Sequence, residues 1–203
     1  MGNELHETDE NTGTMEVLER HKFDVSKLQD FMYENIEDFE GNIKLEEFKG
    51  GQSNPTYKVI TRKQSYVLRR KPPGKLLKSA HAVDREYKVI TGLNKTDVPV
   101  PKSYALCEDD DVIGTAFYLM EFKDGRVLWD AAMEDSDKDE ALGVYKSMND
   151  SMAKLHLVNP SEIGLEDFGK PGNYVGRQVS RWSKQYVDSC LLYTSPSPRD
   201  ATL

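Results

Sequence analysis

Apolar residues along the first half of the chain recur at two spacings, one suited to helices and one to strands. Val25, Leu28, Met32 and Ile36 return every three or four positions behind Asp24, a plausible N-cap, so a helix is predicted from residue 25. Ile43 and Leu45 then alternate with polar residues, and the run through Phe48 predicts a first strand. Gly50 to Pro55 is a turn signal, after which Tyr57–Thr61 and Ser65–Arg70 read as two further strands joined by Arg62-Lys63-Gln64. The order is that of an antiparallel meander, ended by Pro72-Pro73-Gly74. Ala80, Val83, Tyr87 and Ile90 return to helical spacing, with Gly92 placed to close the helix. Val98 to Pro101 is an extended linker, because proline continues neither a helix nor a central strand. Ser103–Cys107 and Gly114–Phe122 read as two more strands around the acidic turn Glu108–Asp111. A long helix is predicted from Asp139 to His156, its stripe of Leu142, Tyr145, Met148, Met152 and Leu155 taken as core. A last helix is expected over Val175–Val187.

Residues 1–16 hold acids, Gly and Thr but almost no large apolar side chains, and are expected to form a mobile tail. Residues 189–203, with Ser-Pro-Ser-Pro at their centre, break the helical pattern and resemble translated adaptor sequence, so they are expected to be foreign to the protein. The net charge of −8 argues against general binding to nucleic acid or an anionic membrane, both of which need clustered Lys and Arg. No apolar run approaches the roughly 20 residues that span a bilayer, and the acidic start is neither a secretory signal nor a transit peptide. Cys107 and Cys190 form no CxxC unit and read as unpaired thiols of a reducing compartment, so a cytoplasmic location is expected.

Three features carry candidate chemistry. Gly51, Gln52, Ser53 and Asn54 lie in a turn whose glycines let backbone approach a phosphate and whose side chains and N–H groups can donate to it. On the strand Ser65–Arg70, period-2 alternation sets Val67 and Arg69 on one face and Tyr66, Leu68 and Arg70 on the other. A small apolar residue two positions before a cation suits adenine packing beside a phosphate contact, and the arginine fork is a competent phosphate partner. Glu86 flanks the apolar face of the following helix and can orient that cation. Five strands with one helix inserted after the third form the order of a protein-kinase-like small lobe, in which positioning and charge neutralisation around a nucleotide are the protein's task.

The runs GGQSNPTY (50–57), YVLRRKPPGKLL (66–77), SAHAVDREYKVI (79–90), TDVPVPK (96–102), FYLMEFKDGRV (117–127) and GKPGNYVGRQVSRW (169–182) resemble the aminoglycoside phosphotransferase (choline-kinase-like) family. Within it they are most similar to the kinase-like domain at the front of acyl-CoA dehydrogenase family members ten and eleven. The resemblance implies an α+β fold, with a five-stranded antiparallel sheet plus helix as the small lobe over 17–123. The start of a helical large lobe would follow over 124–188. It implies ATP and Mg2+ as cofactors and a small hydroxylated acceptor, a hydroxyacyl compound among the candidates. It also implies a parent that can carry an acyl-CoA dehydrogenase domain. Gly51, Gln52, Ser53 and Asn54 would cover the phosphates. Arg69 would take the phosphate-cation role and Glu86 would be its partner, while Met120–Lys123 would be the hinge, with Glu121 and Phe122 backbone groups meeting adenine. His156 matches a helix ending of the family and is read as packing. The family's HGDxxxxN catalytic loop and later metal-binding Asp have no counterpart in the chain, so no catalytic or metal residue is assigned and the chain itself is expected to be inactive. The alternative is a noncatalytic nucleotide-binding or regulatory kinase-like module.

Overall fold

The computed structural model describes residues 12–49, 54–74, 81–128, 130–134, 136–170 and 172–192. Gly51, Gln52 and Ser53 lie outside them, as do residues 193–203. The chain divides into two compact units, one through Leu165 and one from Glu166. In the first, β1 (Thr14–Met15), β2 (Lys44–Phe48), β3 (Thr56–Ile60), β4 (Ser65–Arg70), β5 (Ser103–Cys107) and β6 (Phe117–Glu121) form one sheet of order β1-β2-β3-β4-β6-β5. Every neighbouring pair is antiparallel. The sheet has six strands where five were expected. The addition is β1, from the end of the segment read as a tail: Thr14 pairs with Phe48, its hydroxyl donates to Glu46, and Lys49 N donates to Gly13 O.

Helix α1 (Val25–Asn35) starts where its cap stands, Asp24 accepting from Ser26 N at 2.9 Å. Such a cap contributes about 1 kcal/mol. Leu28 and Met32 are fully buried against Tyr57, Val59, Tyr66, Leu68, Phe117 and Leu119, and Ile36 joins the same cluster. Val25, expected on that face, is exposed, since it lies in the first turn at the rim. One sheet face is therefore the main core. On the other, α2 (Val83–Leu93) packs Val83, Tyr87 and Ile90 against Ala116, Tyr118, Leu106 and Met120. The period-2 reading of β4 is thus borne out: Tyr66 and Leu68 face α1, and Arg70 is buried at the end of that same row.

Gly92 does not close α2 but lies inside it, and Asn94 is the C-cap. A Cβ at Gly92 would stand 3.2 Å from the Ile163 carbonyl and 3.3 Å from side-chain carbons of Ile163 and Leu165. The absence of a side chain therefore lets α2 approach the turn Pro160–Ile163 and Leu165. Gly92→Ala should lose about 1 kcal/mol in urea denaturation, because crowding of about 1–3 kcal/mol exceeds the roughly 1 kcal/mol gain in helix propensity. A stabilised variant would remove the close-approach explanation.

The acidic turn before β6 contains a short helix, α3 (Asp110–Ile113), capped by Asp109 and closed by Gly114 at φ +86°, which is why β6 starts at Phe117 and not at 114. Helix α4 (Lys138–Leu157) occupies the predicted span, with Asp137 accepting from the Asp139 and Glu140 amides. Its stripe of Leu142, Tyr145, Met148, Met152 and Leu155 is not core: each residue is about half exposed. His156, read as packing, is exposed as well. In the second unit α5 (Tyr174–Leu192) runs four residues past the expected boundary at 188, and Arg177 donates to Lys170 O at 2.7 Å and to Gly172 O. No helix among the described residues is long and apolar enough to cross a membrane.

Candidate functional site

The inner end of β4 and the first turns of α2 converge on one carboxylate. Arg69 points from β4 toward α2, as alternation requires, and donates Nε to Glu86 Oε2 at 2.6 Å and Nη2 to Oε1 at 3.4 Å. The two side chains are about one-third exposed, so a ligand in solution can reach them. Glu86 also accepts from Tyr118 OH on β6 at 3.1 Å and from Asn54 Nδ2 at 3.4 Å. Burial, and after it the Glu86 carboxylate, pushes the Tyr118 phenol far above its ordinary value, so it stays a neutral donor.

Asn54, only 4% exposed, sits where the chain enters β3. Its carbonyl accepts from the Thr56 hydroxyl at 3.0 Å and its Oδ1 lies 2.6 Å from His81 Nδ1. Thr56 stands opposite Arg69 in the ladder and its hydroxyl is 3.4 Å from Arg69 Nη1. The guanidinium is held along its Nε edge by Glu86, which sets its direction while its Nη groups make only long contacts. This is a cation aimed by an acid and suited to an anionic ligand of planar, multidentate geometry.

The structure thus brings Asn54, Arg69 and Glu86 together, while Gly51, Gln52 and Ser53, assigned to the preceding turn, lie outside the described residues. Val67 is buried two positions before Arg69, opposite Lys58 on one side and Met120 on the other. Met120 belongs to the apolar cluster under α2. Glu121 lies opposite Tyr66; its N–H donates to Lys102 O at 2.8 Å and its carboxylate accepts from Lys123 and from Lys102 N. The bond from Lys123 holds that carboxyl below its usual range. Phe122 stacks on Phe48 at 6.3 Å, with Lys58 Nζ 4.0 Å from its ring centre.

Tyr118, His81 and Thr56 were missed. Tyr118 reads in sequence as one more core aromatic of a strand, and His81 falls in an aperiodic junction. Only their contacts with Glu86 and Asn54 give them a role. No group of three or more His, Cys, Asp or Glu among the described residues is arranged to hold a metal ion. Both Glu86 oxygens are engaged by Arg69, Asn54 and Tyr118. The cluster therefore fits an anion and not the oxygen cage of a divalent cation.

Residues 44–201 match the model of the phosphotransferase enzyme family. The Arabidopsis thaliana protein named "Probable acyl-CoA dehydrogenase IBR3" is 45% identical over 177 residues, 83% of this chain and 22% of that protein. Acyl-CoA dehydrogenase family member 11 of Homo sapiens is 39% identical over 175 residues, 84% of this chain and 22% of its own length. The chain spans about a quarter or less of the curated relatives it matches. Among solved structures, one described as a "putative aminoglycoside phosphotransferase" from Ralstonia eutropha JMP134 superposes with a TM-score of 0.72 at 47% identity, covering 87% of this chain and 50% of that one. The sheet, the inserted α2 and the paired Arg69 and Glu86 thus have a common explanation: the chain belongs to the phosphotransferase enzyme family, with a kinase-like fold.

Proposed function

We propose that the chain supplies the nucleotide-binding lobe of an ATP-dependent small-molecule phosphotransferase. The ion pair between Arg69 and Glu86 is the observation that carries this reading. A strand cation oriented by an acid of the following helix is how kinase-like lobes hold nucleotide phosphates. In this reading Arg69 binds phosphate through its Nη groups, Glu86 and Tyr118 fix its direction, and Asn54 anchors the end of the Gly51–Ser53 turn assigned to the phosphates on sequence. Val67 and Met120 give the base its apolar floor. Glu121 N–H is already bonded to Lys102 O, so the adenine contact narrows to the Glu121 carbonyl and the Phe122 backbone.

The acceptor in the reading is a small hydroxylated molecule, a hydroxyacyl compound being the class suggested by acyl-CoA dehydrogenase relatives. An acyl-CoA dehydrogenase domain in a longer parent and a cytoplasmic setting belong to the same proposal. Mg2+ would serve the parent's transfer step; among the described residues no group of three or more His, Cys, Asp or Glu is arranged to hold it. With no HGDxxxxN loop in the sequence, this chain binds nucleotide without transferring phosphate. A second reading is a noncatalytic nucleotide-binding module. Phosphate transfer by the parent to a hydroxyl acceptor would exclude it.

The test is titration of the full chain with ATP. Arg69→Ala should weaken ATP binding about 10- to 100-fold, the equivalent of one lost charge-assisted contact of about 1.5–3 kcal/mol. Binding of adenosine and the urea midpoint should change little. Equal ATP affinity would remove Arg69 from the phosphate role.

A further inference from the structure

Two phenylalanines from strands that are not neighbours meet over the sheet face that carries Arg69. Glu46 stands opposite Lys58, Lys58 opposite Val67 and Val67 opposite Met120, so these four residues share one face, and strand alternation puts Arg69 on it as well. Phe48, two residues beyond Glu46, ends β2 on that face, and Phe122 follows Met120 by two, just past the end of β6. In the sheet order β3 and β4 lie between β2 and β6. Three strand steps are about 14 Å, yet the two ring centres are 6.3 Å apart. The side chains therefore reach toward each other over Lys58 and Val67, in the row that ends at Met120.

The pair differs from the ring contacts that hold the core. Phe31 with Phe117 and Tyr66 with Tyr104 meet edge to face, at 71° and 74°, with centres 5.1 Å apart. Phe48 and Phe122 are 25° from parallel and wider apart, they belong to neither apolar cluster, and both are half-buried. Rings in full face contact lie about 3.5–4 Å apart. At 6.3 Å the two faces do not cover each other, and a flat ring system inserted between them needs about 7 Å, two such distances. Lys58 Nζ, 4.0 Å from the Phe122 centre, places an ammonium donor at this slot. A donor there complements the acceptor nitrogens along the edge of a purine and has no match in a plain hydrocarbon ring.

We infer that Phe48 and Phe122 form an aromatic clamp for the purine of a bound nucleotide, the base entering between the two rings with Lys58 donating to its edge. The inference deepens the nucleotide reading above and rests on it. The slot and Arg69 are on one sheet face, and Val67, in the row under the slot, is two residues, about 7 Å, from Arg69 along β4. That is within the reach of one nucleotide from base to phosphate. Phe48 also stands two residues before Gly50, so the strand that supplies one ring runs directly into the turn assigned to the phosphates. The clamp accounts for binding of the base, which the ion pair of Arg69 and Glu86 does not.

The test compares ATP, adenosine and inorganic triphosphate on the full chain by isothermal titration, with bound ATP followed by proton NMR. Phe48→Leu keeps the apolar bulk and removes the ring. It should weaken ATP and adenosine about tenfold, within the range of one base–aromatic stack, with inorganic triphosphate and the urea midpoint nearly unchanged. Phe48→Tyr keeps a ring and should keep the affinity. In the wild-type complex the adenine H2 and H8 signals should move upfield under the ring currents and show Overhauser contacts to ring protons of both Phe48 and Phe122. Equal ATP affinity in Phe48→Leu, or base contacts to Val67 and Met120 without either ring, would overturn the clamp and leave the nucleotide reading standing. No ATP binding by the wild-type chain would overturn both.

Discussion

Glu86→Ala is expected to weaken ATP binding about 30-fold and to lower stability by about 1–2 kcal/mol, a larger combined effect than any other single change at the site. The carboxylate accepts from Arg69, Tyr118 and Asn54, three donors from three separate elements. Hydrogen bonds to a charged group are worth about 1.5–3 kcal/mol each when buried. The Arg69–Glu86 pair is about one-third exposed, so its share is discounted toward the value of about 1 kcal/mol or less typical of surface pairs. What the deletion costs in full is direction. Without Glu86 the guanidinium has no fixed edge, the Tyr118 phenol loses its acceptor and the Asn54 amide loses the contact that orients it toward His81. Tyr118→Phe removes one of these donors and should cost less than fivefold in ATP affinity. Isothermal titration with ATP and adenosine, together with urea midpoints, separates the two effects. An ATP loss no larger for Glu86→Ala than for Tyr118→Phe would show that Glu86 is an ordinary surface acid.

The part of this site that is legible in the sequence is the part governed by periodicity. Arg69 and Glu86 could be placed because a strand alternates and a helix repeats every 3.6 residues. Both patterns name a face, and the two faces meet. Asn54 was legible for another reason, as the polar end of a glycine turn. His81 was not: it stands in left-handed backbone at a junction that has no period. Its partner Asn54 is 27 residues away and is brought close only by the return of the chain through β3 and β4. Tyr118 was hidden by its own bulk, since a strand aromatic is explained by burial before any role for its hydroxyl is considered.

The same limit acts on the fold. Periodicity located α4 and its stripe correctly but could not say what covers the stripe, and in this chain the described residues leave it open. A glycine near a helix end is usually a C-cap, yet Gly92 lies two residues before the Asn94 cap, where Ile163 and Leu165 press against the helix. β1 is two residues long, too short for any pattern, and exists because the open edge of β2 offers hydrogen bonds to it. Arg70 was read as the end of a row and Glu47 was not remarked at all, because charged side chains on a strand are normally solvated. Both are at least 95% buried.

Glu47→Ala is accordingly expected to give the largest loss of stability among the charged residues, about 3 kcal/mol. Glu47 accepts from His21 Nδ1 at 2.7 Å and from Leu18 N at 3.1 Å, and it is 4% exposed. On the far side of the same turn, the His21 carbonyl takes the Tyr57 hydroxyl at 3.0 Å and Arg70 Nη1 at 3.5 Å. The phenol of Tyr57 records this enclosure. Burial pushes it up to about 12, with Glu47 raising it further and Arg70 opposing. Removing one member of a buried charged network costs about 3–5 kcal/mol, because the partners left behind keep their desolvation penalty. Here those partners are the Leu18 backbone N–H and the His21 imidazole. The lower end applies because neither is a buried guanidinium, and nearby Arg70 keeps its own carbonyl acceptors at His21 and Lys71 and the face of Phe23. Glu47→Gln retains one acceptor oxygen and should lose about half as much. The loss should be local before it is global. Hydrogen exchange at Leu18 and Met15 should accelerate in Glu47→Ala under conditions where β3, β4 and β6 stay protected, because Glu47 ties the Leu18–His21 segment to the edge of the sheet next to β1. A loss below about 0.5 kcal/mol, the level of an ordinary surface substitution, would mean that water replaces the carboxylate and that the N-terminal segment is held by β1 pairing alone.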